Sequence, residues 1–144
     1  MPTRTAQAEW NGSLADGNGR LKSQSGAIDQ AYDWKSRAGD GAATSPEELI
    51  AAAHASCYAM AFSGGIAKAG GTPQSLDVTA DVGFGPDKER GGFMITGIKL
   101  TVRGRVEGLD AAGFEQAAQE AKAGCPVSKA LTGVEITLDA ALQD

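Results

Sequence analysis

Ser45-Pro46-Glu47-Glu48-Leu49-Ile50-Ala51-Ala52-Ala53-His54-Ala55-Ser56-Cys57 opens the long apolar run of this chain, and its reading decides the fold. Ser45 offers a capping hydroxyl, and Pro46 suits the first helical position, where no N–H is needed. Glu47 and Glu48 lie at the positive end of the helix dipole. The Ser45…Glu48 spacing also fits a capping box. From Leu49 to about Ala69 the run is Ala-rich and apolar nearly all round, with Gly64-Gly65 as a point of bending and Gly70-Gly71 as its end. A helix apolar on every side is buried. The run therefore predicts a long central helix that the rest of the chain must cover.

Working outward, Thr5 to Trp10 alternates with Ala6, Ala8 and Trp10 on one face, and Gly19 to Ser25 returns as a hairpin strand. Asp33 to Thr44 has no period of 2 or 3.6 and reads as a loop carrying Arg37. Beyond the helix come two strands, Asp77 to Phe84 and Phe93 to Glu107, with Val78, Ala80, Val82, Ile98, Leu100 and Val102 among the inward residues. Asp110 caps a second helix with a Phe114, Ala117, Ala118, Ala121 stripe that runs out near Gly124. A short helix from Pro126 and a last strand through Ile136, Leu138 and Ala140 complete the chain. The order predicts an α+β fold of antiparallel sheets with a long buried central helix. At 144 residues it is expected to be a single domain, 1–144.

Composition narrows the function. A net charge of -5 and a pI near 4.8 give no reason to approach nucleic acid or an anionic membrane. The start lacks the apolar run of an export signal, and no stretch of 18 or more apolar residues is expected to be able to span a bilayer, so a cytoplasmic location is expected. In that compartment thiols stay reduced, and any pairing of the 2 cysteines is expected to be transient. One histidine and two distant cysteines do not make a zinc pattern, and there is no glycine-rich phosphate motif, so no metal and no cofactor are expected.

The residues able to carry chemistry are few. Cys57 lies inside the apolar helix, where a cysteine is often a small core hydrophobe. Cys125, at a Gly-Cys-Pro junction ahead of a helix start, faces backbone N–H groups of the kind that lower a thiol pKa. His54 is three residues before Cys57 and reads first as a satisfied polar group rather than a base. Glu47 is explained as an N-terminal helix charge, and Arg37 as a solvated loop residue.

Both cysteines nevertheless stand in stretches that resemble a known family. Thr44-Ser45-Pro46-Glu47-Glu48 through His54-Ala55-Ser56-Cys57 is similar to the signature of the OsmC/Ohr organic hydroperoxide reductases, and Gly124-Cys125-Pro126-Val127-Ser128 to that family's other cysteine motif. The likeness includes Ala8-Glu9-Trp10-Asn11-Gly12 and Glu135-Ile136-Thr137-Leu138-Asp139, so it covers nearly the whole chain.

The resemblance implies a thiol-dependent peroxidase. Cys57 would attack an organic hydroperoxide and become a sulfenic acid, Cys125 would resolve it as a disulfide, and an external dithiol would reset the pair. It also implies an activating arginine oriented by Glu47. Arg37 takes that role by its OsmC-like placement before the Pro-Glu, and Arg20 is the alternative on an Ohr-like placement. A non-catalytic redox sensor or a binder of small apolar ligands on the same fold is the competing reading. Glu47 and Cys57 stand ten residues apart on one helix, about 15 Å at the helical rise per residue. That distance leads to an expected homodimer in which antiparallel helices, crossing near Ala51-Ala52-Ala53, bring Glu47 of one chain level with Cys57 of the other.

Overall fold

A computed structural model describes every residue from Met1 to Asp144. The chain divides into two compact units, Met1–Leu49 and Ile50–Asp144. In the first, strands β1 (Ala6–Asn11), β2 (Asn18–Ser23) and β3 (Asp29–Tyr32) form an antiparallel sheet in that order. Gly19 pairs with both Trp10 and Tyr32, and those two rings meet at 5.5 Å between centroids. A Cβ on Gly19 would fall 2.6 Å from the Tyr32 ring, so only glycine lets the tyrosine lie across this strand.

The stretch read as a loop contains a helix, α1 (Trp34–Ala38). Asp33 starts it, its carboxylate accepting from the Ser36 N–H at 2.7 Å. Five residues are too few to show a helical period, so the capping aspartate was the one local signal.

Helix α2 (Pro46–Lys68) begins where its sequence predicts, with the serine half of the expected capping box formed and the glutamate turned to Thr44. Ser45 Oγ accepts from the Glu48 N–H at 3.1 Å, and the Glu48 carboxylate takes the Thr44 hydroxyl at 2.7 Å. The chain stays helical through Gly64-Gly65.

In the second unit α2 buries one face, His54, Tyr58, Phe62 and Ile66, at four-residue intervals. Tyr58, Phe62 and Ile66 pack into one core with Leu100 and Val102 of β5 (Phe93–Glu107) and Phe114, Ala117 and Ala118 of α3 (Ala111–Gly124). The opposite face, with Ala52, Ala53, Ser56, Met60 and Gly64, is exposed in the single chain. By length and composition α2 is apolar enough to cross a bilayer, which corrects the expectation that no stretch could, because its many Ala residues and few charges keep the average apolar despite interspersed polar residues. Its buried face is spent on the core of this unit.

Strand β4 (Thr72–Pro86) starts earlier than its alternation indicated and pairs antiparallel with β5. The last strand, β6 (Ile136–Leu142), departs from the antiparallel expectation by lying parallel to β5. The physical reason is the connection: α3 and the short α4 (Pro126–Ala130) carry the chain back across the sheet, and a helical crossover returns a strand in the same direction.

Gly104 sits on β5 beneath α3, where a Cβ would come 2.8 Å from both Leu76 and the Phe114 ring. Overpacking a well-filled core costs about 1–3 kcal/mol. Gly104→Ala should therefore lower the urea midpoint by that amount of stability, while Gly133→Ala, whose added methyl meets nothing within 4 Å, should leave it nearly unchanged.

Candidate active site

Two helices bring the cysteines together within the second unit. Cys57 projects from α2 and is half-buried, whereas Cys125 is fully buried. Cys125 holds an extended conformation (φ -60, ψ 122) between the end of α3 and Pro126, the first residue of α4. Proline there needs no N–H partner, so one helix stops and the next starts with a single residue between them. The two sulfurs, free thiols, are 3.2 Å apart with Cys125 donating to Cys57.

Their surroundings are unequal. Burial pushes the Cys57 thiol up, and its contact with Cys125 adds to this, against a smaller opposing effect of the Val127 N–H. Burial also acts to raise Cys125, but the Ser128 N–H, Cys57, the Ser128 hydroxyl and the Val127 N–H together outweigh it, and its pKa is lowered. No capping hydrogen bond closes on the Cys125 side chain, yet the N–H groups at the start of the next helix and the Ser128 hydroxyl act in the sense that favours its anion. When the pair loses one proton, the charge settles on Cys125 and Cys57 becomes the donor. Cys57 needs a further cation beside it to be the more reactive anion.

Behind the thiols lies a second buried pair. His54 Nε2 and Ser128 Oγ are 2.7 Å apart, and both residues are buried. His54 Nδ1 has no hydrogen-bond partner, and a buried orphan of this kind costs about 1–3 kcal/mol. The expectation of a satisfied histidine holds for one of its two nitrogens. Ser128 was not singled out in the sequence. Its signal is spacing, since it follows Cys125 by three residues as His54 precedes Cys57 by three.

The first unit holds the other two residues singled out. Arg37 Nε donates to Glu47 Oε1 at 2.7 Å, and Glu47 is only 6% exposed, with Oε2 buried and unpartnered. Glu47 is thus more than a surface charge at a helix start. Arg20 instead donates to Asp29 at 2.6 Å across adjacent strands, with both side chains about half exposed, the geometry of an ordinary surface pair. Beside Arg37 lies a cleft of about 270 Å³ lined by Trp10, Leu14, Tyr32, Trp34 and Pro46. These aromatic residues carried no functional signal in the sequence because their convergence depends on the β1-β2-β3 pairing.

Among the large apolar residues, Phe62 is in the core, while Met60, Phe93 and Met94 are exposed. Phe62 faces inward because it falls on the His54–Tyr58–Ile66 stripe. Nowhere do three His, Cys, Asp or Glu side chains converge as a metal would require.

Comparison with known proteins places these features in context. The family model for OsmC, OsmC-like protein, matches residues 39–139. The chain is 46% identical over 137 residues to Peroxiredoxin OsmC of Escherichia coli (strain K12), covering 94% of each. It is 35% identical over 100 residues to organic hydroperoxide resistance protein OhrA of Bacillus subtilis (strain 168), covering 69% of this chain and 68% of that one. Among solved structures, OhrB of Bacillus subtilis superposes with a TM-score of 0.75 at 28% identity, over 94% of this chain and 97% of that chain. An organic hydroperoxide resistance protein from Elizabethkingia anophelis, with thiocyanate bound, gives a TM-score of 0.75 at 27% identity over 99% of both.

Burial holds the His54 pKa below its ordinary 6.5, so the imidazole is neutral in the folded protein. The unfolded chain binds this proton more readily. Stability from a neutral His54 is fully present above the unfolded pKa and is lost as pH falls from there towards the lower folded value. Urea midpoints measured from pH 7.5 down to 5 should fall for the native protein and fall less for His54→Gln.

Proposed function

The chain belongs to the family of OsmC-like proteins, and from that premise we propose that it is a thiol-dependent peroxidase that reduces organic hydroperoxides to alcohols. The observation that carries the reading is the pair of free thiols, Cys57 and Cys125, 3.2 Å apart at the meeting of two helices. The names of the related proteins, a peroxiredoxin and organic hydroperoxide resistance proteins, support the substrate class.

The Cys57 thiolate attacks one peroxide oxygen and the O–O bond breaks. The alkoxide leaves and is protonated to the alcohol, and Cys57 becomes a sulfenic acid. The Cys125 thiolate then attacks that sulfur, forming the S–S bond and expelling the oxygen as water. A disulfide is about 2.05 Å long, so the sulfurs need approach by only about a further ångström. An external dithiol returns both cysteines to thiols by exchange.

Activation of Cys57 is the demanding step, because burial pushes its thiol up. A guanidinium within about 4–6 Å typically lowers such a pKa by 1–3 units. Arg37, held by the buried Glu47, is the proposed source, and the exposed pairing of Arg20 with Asp29 speaks for Arg37 over Arg20. Glu47 stands ten residues from Cys57 along α2, about 15 Å of helical rise. The cation for each Cys57 is therefore taken to be Arg37 of the partner subunit in a homodimer.

The exposed face of α2, with Ala52, Ala53, Ser56 and Met60, is apolar and small enough for two such helices to pack closely. Met60 in particular is 77% exposed in the single chain. The family match spans 39–139 and crosses the division at Leu49, which supports one domain over 1–144. The aromatic cleft beside Arg37 suits an alkyl or aryl group on the peroxide. A cytoplasmic setting, where dithiol reductants are available, fits the reversible use of the cysteines.

With one equivalent of cumene hydroperoxide the native protein should lose both thiols, Cys57→Ser should lose neither at a comparable rate, and Cys125→Ser should stop at an oxidised Cys57. Full turnover in Cys57→Ser, counted by thiol titration and peroxide loss, would reject Cys57 as the nucleophile. Retention of both native thiols would favour an apolar-ligand binder. Co-expressed Cys57→Ser and Arg37→Ala chains, purified as the mixed dimer, should recover about half of native activity, since one site of the pair keeps both groups. An inactive but folded mixed dimer would show that Arg37 serves its own chain.

A further inference from the structure

His54 and Ser128 take no part in the chemistry described so far, yet they form a buried side-chain contact in the protein's second unit. They repeat the geometry of the thiols. His54 is one helical turn before Cys57 on α2, and Ser128 is one turn after Cys125 on α4. The facing helices thus meet at two contacts, sulfur to sulfur at 3.2 Å and imidazole to hydroxyl at 2.7 Å.

The geometry points to His54 as a positioning residue that acts through Ser128 on Cys125: Nε2–H donates to the serine oxygen and so fixes Ser128, in the first turn of the helix that Cys125 caps, with the serine proton left for another acceptor. The tautomer follows from what surrounds the ring. If Nε2 were the bare nitrogen, the proton would sit on Nδ1, a buried N–H with no acceptor, and a buried N–H without a partner is rarely tolerated. With the proton on Nε2 the unpartnered atom is an acceptor, and Ser128 Oγ accepts from His54 while its own hydrogen is free to point elsewhere. The Ser128 hydroxyl and N–H both act on Cys125 in the sense that favours its thiolate. An apolar side chain of similar size would fill the space of His54 without an orphan nitrogen, so what the imidazole adds is a single directed N–H.

Of the other titratable groups, Cys57 also favours the Cys125 anion, which is why the test below removes it. On α2, Cys57 shares its hydrogen bond with Cys125, and Tyr58 is pushed up by burial, stays neutral and donates its hydroxyl to the Ala118 carbonyl at 2.8 Å. On α3, Glu115 is felt by Tyr58, where it raises the phenol further.

For the reaction proposed above, on which this role in turnover rests, the consequence falls on resolution. The Cys125 thiolate attacks the Cys57 sulfenic acid; the S–S bond forms, the S–O bond breaks, and the departing hydroxide takes up the proton that Cys125 released. The hydroperoxide is the oxidant. Losing the serine donor raises the Cys125 pKa, and a rise of about one unit cuts the thiolate fraction about tenfold below both pKa values. The more basic thiolate is about threefold more nucleophilic, so disulfide formation should slow by about threefold.

The test separates this positioning from the peroxidase reading. In a Cys57→Ser background Cys125 is the one remaining thiol, and its titration is followed by thiolate ultraviolet absorbance with no peroxide present. Added Ser128→Ala or His54→Ala should raise the midpoint by about one unit. His54→Gln, whose amide N–H can still reach Ser128, should restore most of the native value. With Cys57 intact, Ser128→Ala should slow disulfide closure after one equivalent of cumene hydroperoxide without slowing the loss of peroxide. An unchanged midpoint in a folded Ser128→Ala protein, or equal shifts for His54→Gln and His54→Ala, would overturn the proposal. If the chain reduced no hydroperoxide at all, the titration would still decide whether His54 and Ser128 set the state of Cys125.

Discussion

The buried face of α2 is the constraint on which the arrangement around the thiols depends. His54, Tyr58, Phe62 and Ile66 are buried at every fourth residue, and the last three lie in one core with β5 and α3, where Phe62 meets Phe114 at 5.0 Å between ring centroids. Each fully buried large side chain contributes on the order of 1.5–3 kcal/mol. That packing sets the rotation of α2 about its axis, and the rotation leaves Cys57 at the edge of the core, half-covered, where Cys125 can reach it. A turn of the helix by one residue would put Cys57 in the core or in solvent and separate the sulfurs.

The same packing explains why a chain with few charged groups inside can still handle ions. Three buried groups of the second unit, His54, Ser128 and Cys125, stand where α2 meets α4, with the half-buried Cys57 beside them. There a low local dielectric strengthens each donor and makes each missing partner costly. The first unit gathers its own charge pair, Arg37 and Glu47, at the start of the same helix. One helix therefore carries a carboxylate at its beginning and a thiol ten residues on, with an apolar exposed face along it.

Much of this was legible from the residues. The Ser45-Pro46 start, the Asp110 cap, the alternation of β5 and the Gly-Cys-Pro junction each rest on local chemistry that acts within one turn or one strand, and each stands where it was expected. Helix α1 escaped because five residues show no period, and the parallel direction of β6 because alternation says which side chains face inward but not which way a strand runs. The pairing of Arg37 with Glu47 was available only as a family likeness. Nothing in the spacing of those two residues says that a guanidinium from one element will meet a carboxylate on another.

What the sequence determined by itself was the set of elements and the chemistry available to them: a capped apolar helix, two amphipathic strands, two thiols and few other reactive groups. The tertiary structure alone decided that Cys57 and Cys125, 68 positions apart, stand at 3.2 Å, and that burial raises one thiol while Ser128 lowers the other. It also decided that His54 meets Ser128 and that Arg20 is engaged with Asp29 while Arg37 holds Glu47. The physical reason is that helix starts and strand alternation depend on neighbours along the chain. A thiol's proton affinity depends on the dielectric and donors around it, and these are fixed only when distant segments close over one another.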